Sequence, residues 1–255
     1  MKQYKGFLID LDGTIYRGIE KIDEAVQFVK ELDRRKIPYL FVTNNSTKRP
    51  DQVAEFLRLM GVPVTEEHIF TSSMATASYI TDLKEQASIY VIGEEGLQHS
   101  LVHEGHKLVE DEAEYVVIGL DRALTYEKLA KASLQVRQGA TFIATNGDAA
   151  LPTERGLMPG NGSIVSVVSV STGVQPTFIG KPESIIIEQA LEVIGTAKEE
   201  TIMVGDNYHT DILAGIHGGI DTLMVYTGVS TRDQVGSYHE KPTYELNSLG
   251  EWMFE

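Results

Sequence analysis

Two aspartates separated by one residue stand at the end of the first apolar run of the sequence. The run covers residues 6–11 and includes Asp10, and Asp12 is followed by Gly13 and Thr14. The alternation of side chains along a strand predicts that Asp10 and Asp12 lie on the same side. With two neighbouring carboxylates, one can attack as a nucleophile while the other serves as general acid and then as general base. The alternative is an ordinary Asp-Gly turn.

A second acidic segment lies near the end of the chain. Asp206 and Asp211 follow the apolar residues 202–204 and precede a predicted helix that contains Ile212 and Ile216. The segment offers hard oxygen ligands, and the chain has no cysteine. Such ligands suit Mg²⁺, which proteins hold with one or two carboxylates, waters and a substrate phosphate. The alternative for this segment, taken alone, is a turn or a helix cap.

Two further polar segments follow predicted strands. Thr43, Asn44 and Asn45 come after the apolar residues 39–42, and Lys181 comes after Ile179. Backbone N–H groups at the start of the next helix can also face an anion there. Because the carboxyl ends of parallel strands form the ligand crevice of an open α/β sheet, we expect all four polar segments to converge.

Short apolar runs alternate with amphipathic segments along most of the chain, and this pattern predicts an α/β fold around a mostly parallel sheet. One helix should begin at Asp23 as N-cap and end before Pro38, another should run from Pro50 to Gly61, and a third should begin near Glu183 with Pro182 near its first position. The middle of the chain has its own alternation and lacks the acidic chemistry. We therefore predict a discontinuous core of residues 1–78 and 178–255 with an inserted domain of residues 79–177. The predicted strands cover residues 6–11, 39–42, 88–92, 115–119, 141–144, 176–179, 201–204 and 222–226.

Composition narrows the class of protein. The chain has 255 residues, of which 42% are hydrophobic, and a formal net charge of -15. An acidic chain without a basic patch is a poor partner for nucleic acid or for anionic membrane surfaces. The sequence has neither a signal peptide nor an apolar run of the roughly 18 residues that a membrane span requires, so we expect a cytoplasmic protein.

Together the four polar segments resemble the haloacid dehalogenase-like (HAD) superfamily of phosphatases. The motifs of that family are Asp-x-Asp-Gly-Thr, a Thr or Ser at a strand end, a lysine, and Gly-Asp-x-x-x-x-Asp. The sequence has them in the family's order, at residues 10–14, at Thr43, at Lys181 and at residues 205–211. The chain is also similar to the NagD-like subfamily, in which a C2-type α/β cap is inserted into a Rossmann-like core. This second similarity is carried by residues 12–18, 43–46, 119–122, 152–157 and 180–182.

The resemblance implies a role for each matching residue. Asp10 would be the nucleophile that forms an aspartyl-phosphate, and Asp12 the general acid and base. Mg²⁺ would be bound by Asp10, the backbone carbonyl of Asp12 and Asp206, with Asp211 orienting the waters of the metal. The remaining matching residues, Thr43, Asn44, Asn45 and Lys181, would hold the phosphate together with Asp12, and Lys181 would also neutralise charge at Asp10.

Some features of the sequence leave alternatives open. His99, His103 and His106 have a spacing that could bind zinc on a helix, but a solvated helix end is the simpler interpretation. His209 either approaches the substrate or is a bystander beside the acidic segment. The resemblance implies a small phosphomonoester as the substrate, such as a sugar phosphate or a nucleoside monophosphate. A homodimer is one option for the assembly. The alternatives to a phosphatase are a receiver-like signalling domain phosphorylated on Asp and a non-catalytic protein that binds a metabolite.

Overall fold

The computed structural model describes residues 2–153 and 155–254, which form two compact units. The first unit contains residues up to Thr43, Pro50–Phe70 and the chain from Lys181 onward; the second contains Asn44–Arg49 and Thr71–Gly180. The predicted insert, residues 79–177, lies inside the second unit. The α/β class with parallel sheets is confirmed, since both units contain a sheet built from parallel pairs.

Strands and helices are numbered in chain order. The strands are β1 (Gly6–Ile9), β2 (Tyr16–Arg17), β3 (Glu20–Lys21), β4 (Tyr39–Thr43), β5 (Ile69–Thr71), β6 (Ser88–Ile92), β7 (Lys107–Leu108), β8 (Tyr115–Ile118), β9 (Thr141–Ala144), β10 (Ala150–Thr153), β11 (Gly156–Pro159), β12 (Thr177–Phe178), β13 (Thr201–Gly205), β14 (Asp221–Val225) and β15 (Tyr244–Leu246). The helices are α1 (Asp23–Arg35), α2 (Pro50–Leu59), α3 (Ser72–Leu83), α4 (Glu95–His103), α5 (Tyr126–Arg137), α6 (Asn161–Thr172), α7 (Ser184–Ile194), α8 (Leu213–Gly218) and α9 (Arg232–Ser237). A π-helical turn at Tyr208–Ile212 leads into α8, and 3₁₀ turns lie at Glu66–His68, Lys198–Glu200 and Leu249–Glu251.

The sheet of the first unit has the strand order β15-β14-β13-β1-β4-β5. Strand β1 lies between β13 and β4 and is parallel to both. All four residues of β1 are buried, as expected for a central strand of a parallel sheet that is covered on both faces. The strand order reverses at β1, so the residues that follow this strand stand at the topological switch point.

Helix α1 illustrates how the sequence forms a helix that packs on the sheet of the first unit. Ala25, Val29 and Leu32 are buried along one face, and the helix carries acidic residues in its first turn and basic residues in its last. Asp23 is the first helical residue, and Ile22 is the N-cap, so the predicted N-cap was wrong by one position. The helix ends because Lys36 adopts a left-handed conformation (φ 57°), before Pro38 is reached.

The second unit contains the sheet β12-β9-β8-β6-β7 and the antiparallel hairpin β10-β11. Its strands β8 and β9 pair in parallel, and the apolar residues of α5 and α6 pack on them; the cluster includes Val116, Val136 and Val165. Within residues 2–153 and 155–254, the structure shows no helix that has the length and hydrophobicity to cross a membrane.

Candidate active site

Three strands of the first unit end in polar residues at one edge of its sheet. Asp10 follows β1, Thr43 is the last residue of β4, and Asp206 follows β13. Since β1 is parallel to both neighbours, these ends lie side by side. Strand β1 ends at Ile9, two residues before the predicted limit, so strand alternation does not govern the placement of Asp12.

Asp10, Asp206 and Asp211 form a carboxylate cluster in this edge. One oxygen from each carboxylate lies within 4.8 Å of the others. Asp211 reaches the cluster from the π-helical turn, and the backbone N–H of Asn207, the N-cap of that turn, donates to Oδ2 of Asp211 at 3.0 Å. All three residues are buried, with at most 8% of their surface exposed. A set of hard oxygen donors in this arrangement fits a divalent metal ion.

Lys181 joins this carboxylate cluster from the loop before α7. Its Nζ donates to Oδ1 of Asp10 at 2.5 Å, to Oδ1 of Asp211 at 2.7 Å and to the carbonyl of Val42 at 2.9 Å. Lys181 itself is 2% exposed. Helix α7, which was predicted to begin near Glu183, has Glu183 as its N-cap, and Pro182 lies two residues before its first helical residue, Ser184. The lysine therefore links Asp10 after β1 to the strand β4 that carries Thr43.

Burial and mutual repulsion shift the protonation of the cluster. Burial raises the pKa of Asp10 well above its usual range, and Asp211 raises it further, while Lys181 opposes the change. Burial also raises the pKa of Asp206 to about 7, again with a contribution from Asp211. Burial alone would lower the pKa of Lys181, but Asp10 and Asp211 outweigh it, so the lysine stays charged.

Asp206 accepts hydrogen bonds from two residues to which the sequence assigned no role. Thr14 Oγ1 donates to Oδ1 of Asp206 at 3.1 Å, and the backbone N–H of Val229 donates to Oδ2 at 2.7 Å. A Cβ on Gly228 would lie 1.9 Å from Oδ2, so only glycine permits this approach. The signal that could have found this segment is the pair of hydroxyl residues Thr227 and Ser230 around Gly228, shortly after an apolar strand.

The structure places the remaining predicted site residues less centrally. Asp12 forms an isolated β-bridge with Tyr16 just before the turn that begins at Gly13, and its side chain is exposed. Thr43 is buried at the end of β4. Asn44 and Asn45, although adjacent to Thr43 in sequence, belong to the second unit. Oδ1 of Asn45 accepts hydrogen bonds from the backbone N–H and the hydroxyl of Thr47, so this oxygen is used within its own loop.

The histidines singled out in the sequence do not join the carboxylate cluster. His209 is exposed, and its Nε2 lies 2.9 Å from the hydroxyl of Tyr238. His99 and His103 are exposed on α4, whereas His106 is 3% exposed and its Nδ1 accepts the N–H of Ala87. Among residues 2–153 and 155–254, the only group of acidic, histidine or cysteine side chains that could hold a metal is the carboxylate cluster.

Comparison with known proteins decides the family. A model of haloacid dehalogenase-like hydrolases matches residues 7–107, and a HAD-hydrolase-like model matches residues 178–252. The chain is 58% identical over 253 residues to the 5'-nucleotidase YutF of Bacillus subtilis (strain 168), covering 99% of both proteins. The chain belongs to the haloacid dehalogenase-like (HAD) hydrolase family. The predicted family is thereby confirmed.

Other relatives of this HAD hydrolase carry phosphatase names. The chain is 55% identical over 256 residues to an acid sugar phosphatase of Staphylococcus aureus (strain USA300), covering 100% of this chain and 99% of the relative. Among solved structures, a thermostable NPPase mutant from Geobacillus stearothermophilus is 59% identical and superimposes with a TM-score of 0.95 over 100% of both chains. A p-nitrophenyl phosphatase from Archaeoglobus fulgidus is 38% identical, with a TM-score of 0.94 over 98% of each chain. These relatives confirm the predicted enzyme class, a phosphatase of the HAD family.

Proposed function

We propose that this HAD hydrolase is a Mg²⁺-dependent phosphatase that cleaves a small phosphomonoester through an aspartyl-phosphate on Asp10. The observation that carries the proposal is the buried group formed by Asp10, Lys181, Asp206 and Asp211 at the switch point of the sheet. Asp10 lies beside the ammonium group of Lys181 and two further carboxylates. It is suited to attack a phosphate group, because Lys181 and a bound cation would offset the negative charge of that phosphate.

The residues of the carboxylate cluster fit Mg²⁺. Its three carboxylates face the single positive charge of Lys181, so negative charge is left over when they are ionised. Burial first, and then repulsion from Asp211, raise the pKa values of Asp10 and Asp206. Asp10, the backbone carbonyl of Asp12 and Asp206 would hold the ion, and Asp211 would orient its waters. When bound, Mg²⁺ supplies positive charge that stabilises the phosphoryl group during transfer.

Asp10 and Asp12 divide the chemistry of the two half-reactions. In the first, an Asp10 oxygen forms a bond to phosphorus while the bond to the leaving alcohol oxygen breaks, and Asp12 donates a proton to that oxygen. In the second, Asp12 takes a proton from water, whose oxygen bonds to phosphorus and releases phosphate and the Asp10 carboxylate. The contrast between the buried Asp10 and the exposed Asp12 supports this division, since proton exchange requires access to water.

The other predicted site residues would bind the substrate phosphate. Lys181 offsets its negative charge from the buried side, and Thr43 presents a hydroxyl at the end of β4. The loop that begins with Asn44 and Asn45 would contribute donors next to Thr43 along the chain. In such phosphoryl transfer, positioning and charge stabilisation supply most of the catalysis.

We propose a sugar phosphate, a nucleoside monophosphate or a similar metabolite as substrate, in a cytoplasmic setting. Two relatives are named a 5'-nucleotidase and an acid sugar phosphatase, which supports this class. The second unit, inserted between Thr43 and Lys181, would act as a cap. The net charge of -15 disfavours nucleic acid and anionic membranes as partners.

A panel of phosphorylated metabolites, assayed with Mg²⁺ and with EDTA, tests the proposal. We expect multiple turnovers of several small phosphomonoesters and of p-nitrophenyl phosphate with Mg²⁺, and loss of turnover with EDTA. A receiver-like domain would instead stop after one phosphorylation per chain. A binding protein would release no phosphate, and either outcome would overturn the proposed function.

A further inference from the structure

The loop 44–49 is built into the second unit by side chains of α3. Ser72 Oγ donates to the carbonyl of Asn44 at 2.9 Å, and Ser73 Oγ donates to the carbonyl of Ser46 at 3.0 Å. Ser72 and Ser73 are both fully buried. The residue that follows Thr43 is therefore held by backbone and side-chain contacts within the second unit.

Asp148 holds the side chain of Asn44. Its Oδ2 accepts a hydrogen bond from Nδ2 of Asn44 at 3.0 Å and a second one from Nδ2 of Asn146. Asn146 is oriented in turn, because its Oδ1 accepts the hydroxyl of Thr145 at 2.9 Å. In the part of the chain that the structure describes, Asp148 forms no ion pair. Its carboxylate instead accepts hydrogen bonds from the amide groups of Asn44 and Asn146. Hydrogen bonds to an ionised acceptor are stronger than those between neutral groups.

Gly180 closes the other side of Asn44. A Cβ on Gly180 would lie 2.6 Å from Oδ1 of Asn44 and 2.6 Å from the carbonyl of Thr145. The N–H of Gly180 donates to that same carbonyl at 2.8 Å. Asn44 is thus held by hydrogen bonds to Ser72 at its carbonyl and to Asp148 at its amide nitrogen, and a side chain at position 180 would collide with its amide oxygen. These two hydrogen bonds restrict how residue 44, and with it its backbone N–H, can turn.

We propose that Asp148 is a positioning residue for phosphate binding: it orients Asn44 so that the loop after Thr43 presents its donors to the phosphate of the substrate. The inference rests on the proposed phosphatase function, in which Asn44 binds phosphate. Asp148 itself is not among the residues proposed to bind the phosphate or the metal. Donors that are oriented before binding need no reorganisation when the anion arrives, so loss of Asp148 weakens phosphate binding.

Inorganic phosphate, the common product of every proposed substrate, is the probe for this role. In Asp148→Ala we expect the inhibition constant of phosphate and the KM of p-nitrophenyl phosphate to rise about tenfold, the effect of roughly one charged hydrogen bond. Asp148→Asn retains an acceptor oxygen and should show a smaller rise. The Mg²⁺ affinity should be unchanged, because its proposed ligands lie in the first unit. Asp82→Ala, an exposed aspartate on α3, is the matched control and should behave as wild type.

A double-mutant cycle with Asn44→Ala shows whether Asp148 acts through Asn44. In the Asn44→Ala background, Asp148→Ala should weaken phosphate binding by less than about twofold, because the hydrogen bond between the two side chains is already lost. An unchanged inhibition constant in Asp148→Ala, or an undiminished effect in the Asn44→Ala background, would overturn the proposal. A wild-type protein that turns over no phosphomonoester would refute the proposed function instead, and calorimetric titration of phosphate would still test Asp148.

Discussion

The Nζ atom of Lys181 lies 2.5 Å from Oδ1 of Asp10, and both side chains are almost completely withdrawn from solvent. The lysine also donates to Asp211 and to the carbonyl of Val42, and these two hydrogen bonds hold its ammonium group in place beside Asp10. The hydrogen bond from Lys181 therefore limits the direction from which the Asp10 carboxylate can approach the phosphorus atom of a substrate. The same lysine screens the proposed nucleophile from Asp211, which lowers the cost of keeping Asp10 ionised.

Replacing Asp10 by asparagine should abolish turnover, because a neutral amide does not form the phosphoryl ester. We expect kcat for p-nitrophenyl phosphate to fall by at least about a thousandfold, the usual cost of losing a nucleophile. The Asp10→Asn protein should remain folded, since its amide oxygen can still accept from Lys181 and one buried negative charge is removed. Thermal unfolding followed by circular dichroism checks the fold. Retention of more than about a tenth of kcat would contradict the covalent mechanism.

Replacing Lys181 by methionine should destabilise the protein strongly. The change leaves Asp10 and Asp211 buried without their cation, and breaking a buried ion pair costs roughly 3–5 kcal/mol. Urea denaturation measures the free energy of unfolding. Mg²⁺ should restore part of the loss, since a second cation can face the same carboxylates. As a control, Lys5→Met removes a lysine that is 71% exposed and pairs with Glu200, and it should cost at most about 1 kcal/mol.

Two glycine substitutions test whether the close approach of Gly228 to Asp206 supports the metal site. One places a methyl group against Asp206, and the other adds a methyl group elsewhere as a control. In Gly228→Ala the new Cβ would lie 1.9 Å from Oδ2 of Asp206, so the carboxylate or the loop must shift. We expect the Mg²⁺ affinity measured by calorimetry to fall at least about tenfold, as when a metal ligand loses its supporting hydrogen bonds. Gly236→Ala places its methyl group in open space on α9 and should leave the affinity unchanged. Equal affinities of the two variants would show that this contact does not support the metal site.

The raised pKa of Asp206 predicts how stability depends on pH. Its pKa is about 7 in the folded protein, against 3.8 for an unperturbed aspartate. Between these values the folded state holds a proton that the unfolded state has lost, so this group lowers the free energy of unfolding as pH rises from about 4 to about 7. Without metal, Asp206→Asn should therefore gain stability relative to wild type between about pH 5 and about pH 8. Urea titrations at both pH values measure this difference, and a gain that is independent of pH would contradict the assignment.

Mg²⁺ should reverse this dependence on pH in the wild-type protein. Its binding requires ionised carboxylates, so protons are released and the apparent affinity rises from about pH 5 to about pH 8. Calorimetry in buffers that differ in ionisation enthalpy measures the number of protons released. Binding without proton release at about pH 6 would show that Asp206 and Asp10 are already ionised in the metal-free protein.

The strands that carry the site were predictable because their signal is local. Gly6–Ile9 and Thr201–Gly205 are apolar runs with polar residues directly after them, and such runs match buried parallel strands. Shorter strands such as Ile69–Thr71 were missed, since three residues carry too little pattern. The predicted border at residue 79 falls within α3, which lies in the second unit. Its buried Ser, Thr and Ala residues do not indicate which unit the helix packs against.

The chemistry of the site can be read from the amino-acid sequence, which shows which residue types follow the strands and in which order along the chain. Which of these residues meet depends on the tertiary structure. Thr14 and Asp206 are 192 positions apart and become hydrogen-bonded only because β1 pairs with β13. Asn44 is next to Thr43 in the chain, yet its amide is bound to Asp148, 104 positions away. The reason is that side-chain types and strand periodicity are local properties, whereas such contacts depend on strand order and loop packing, which no short segment of the chain encodes.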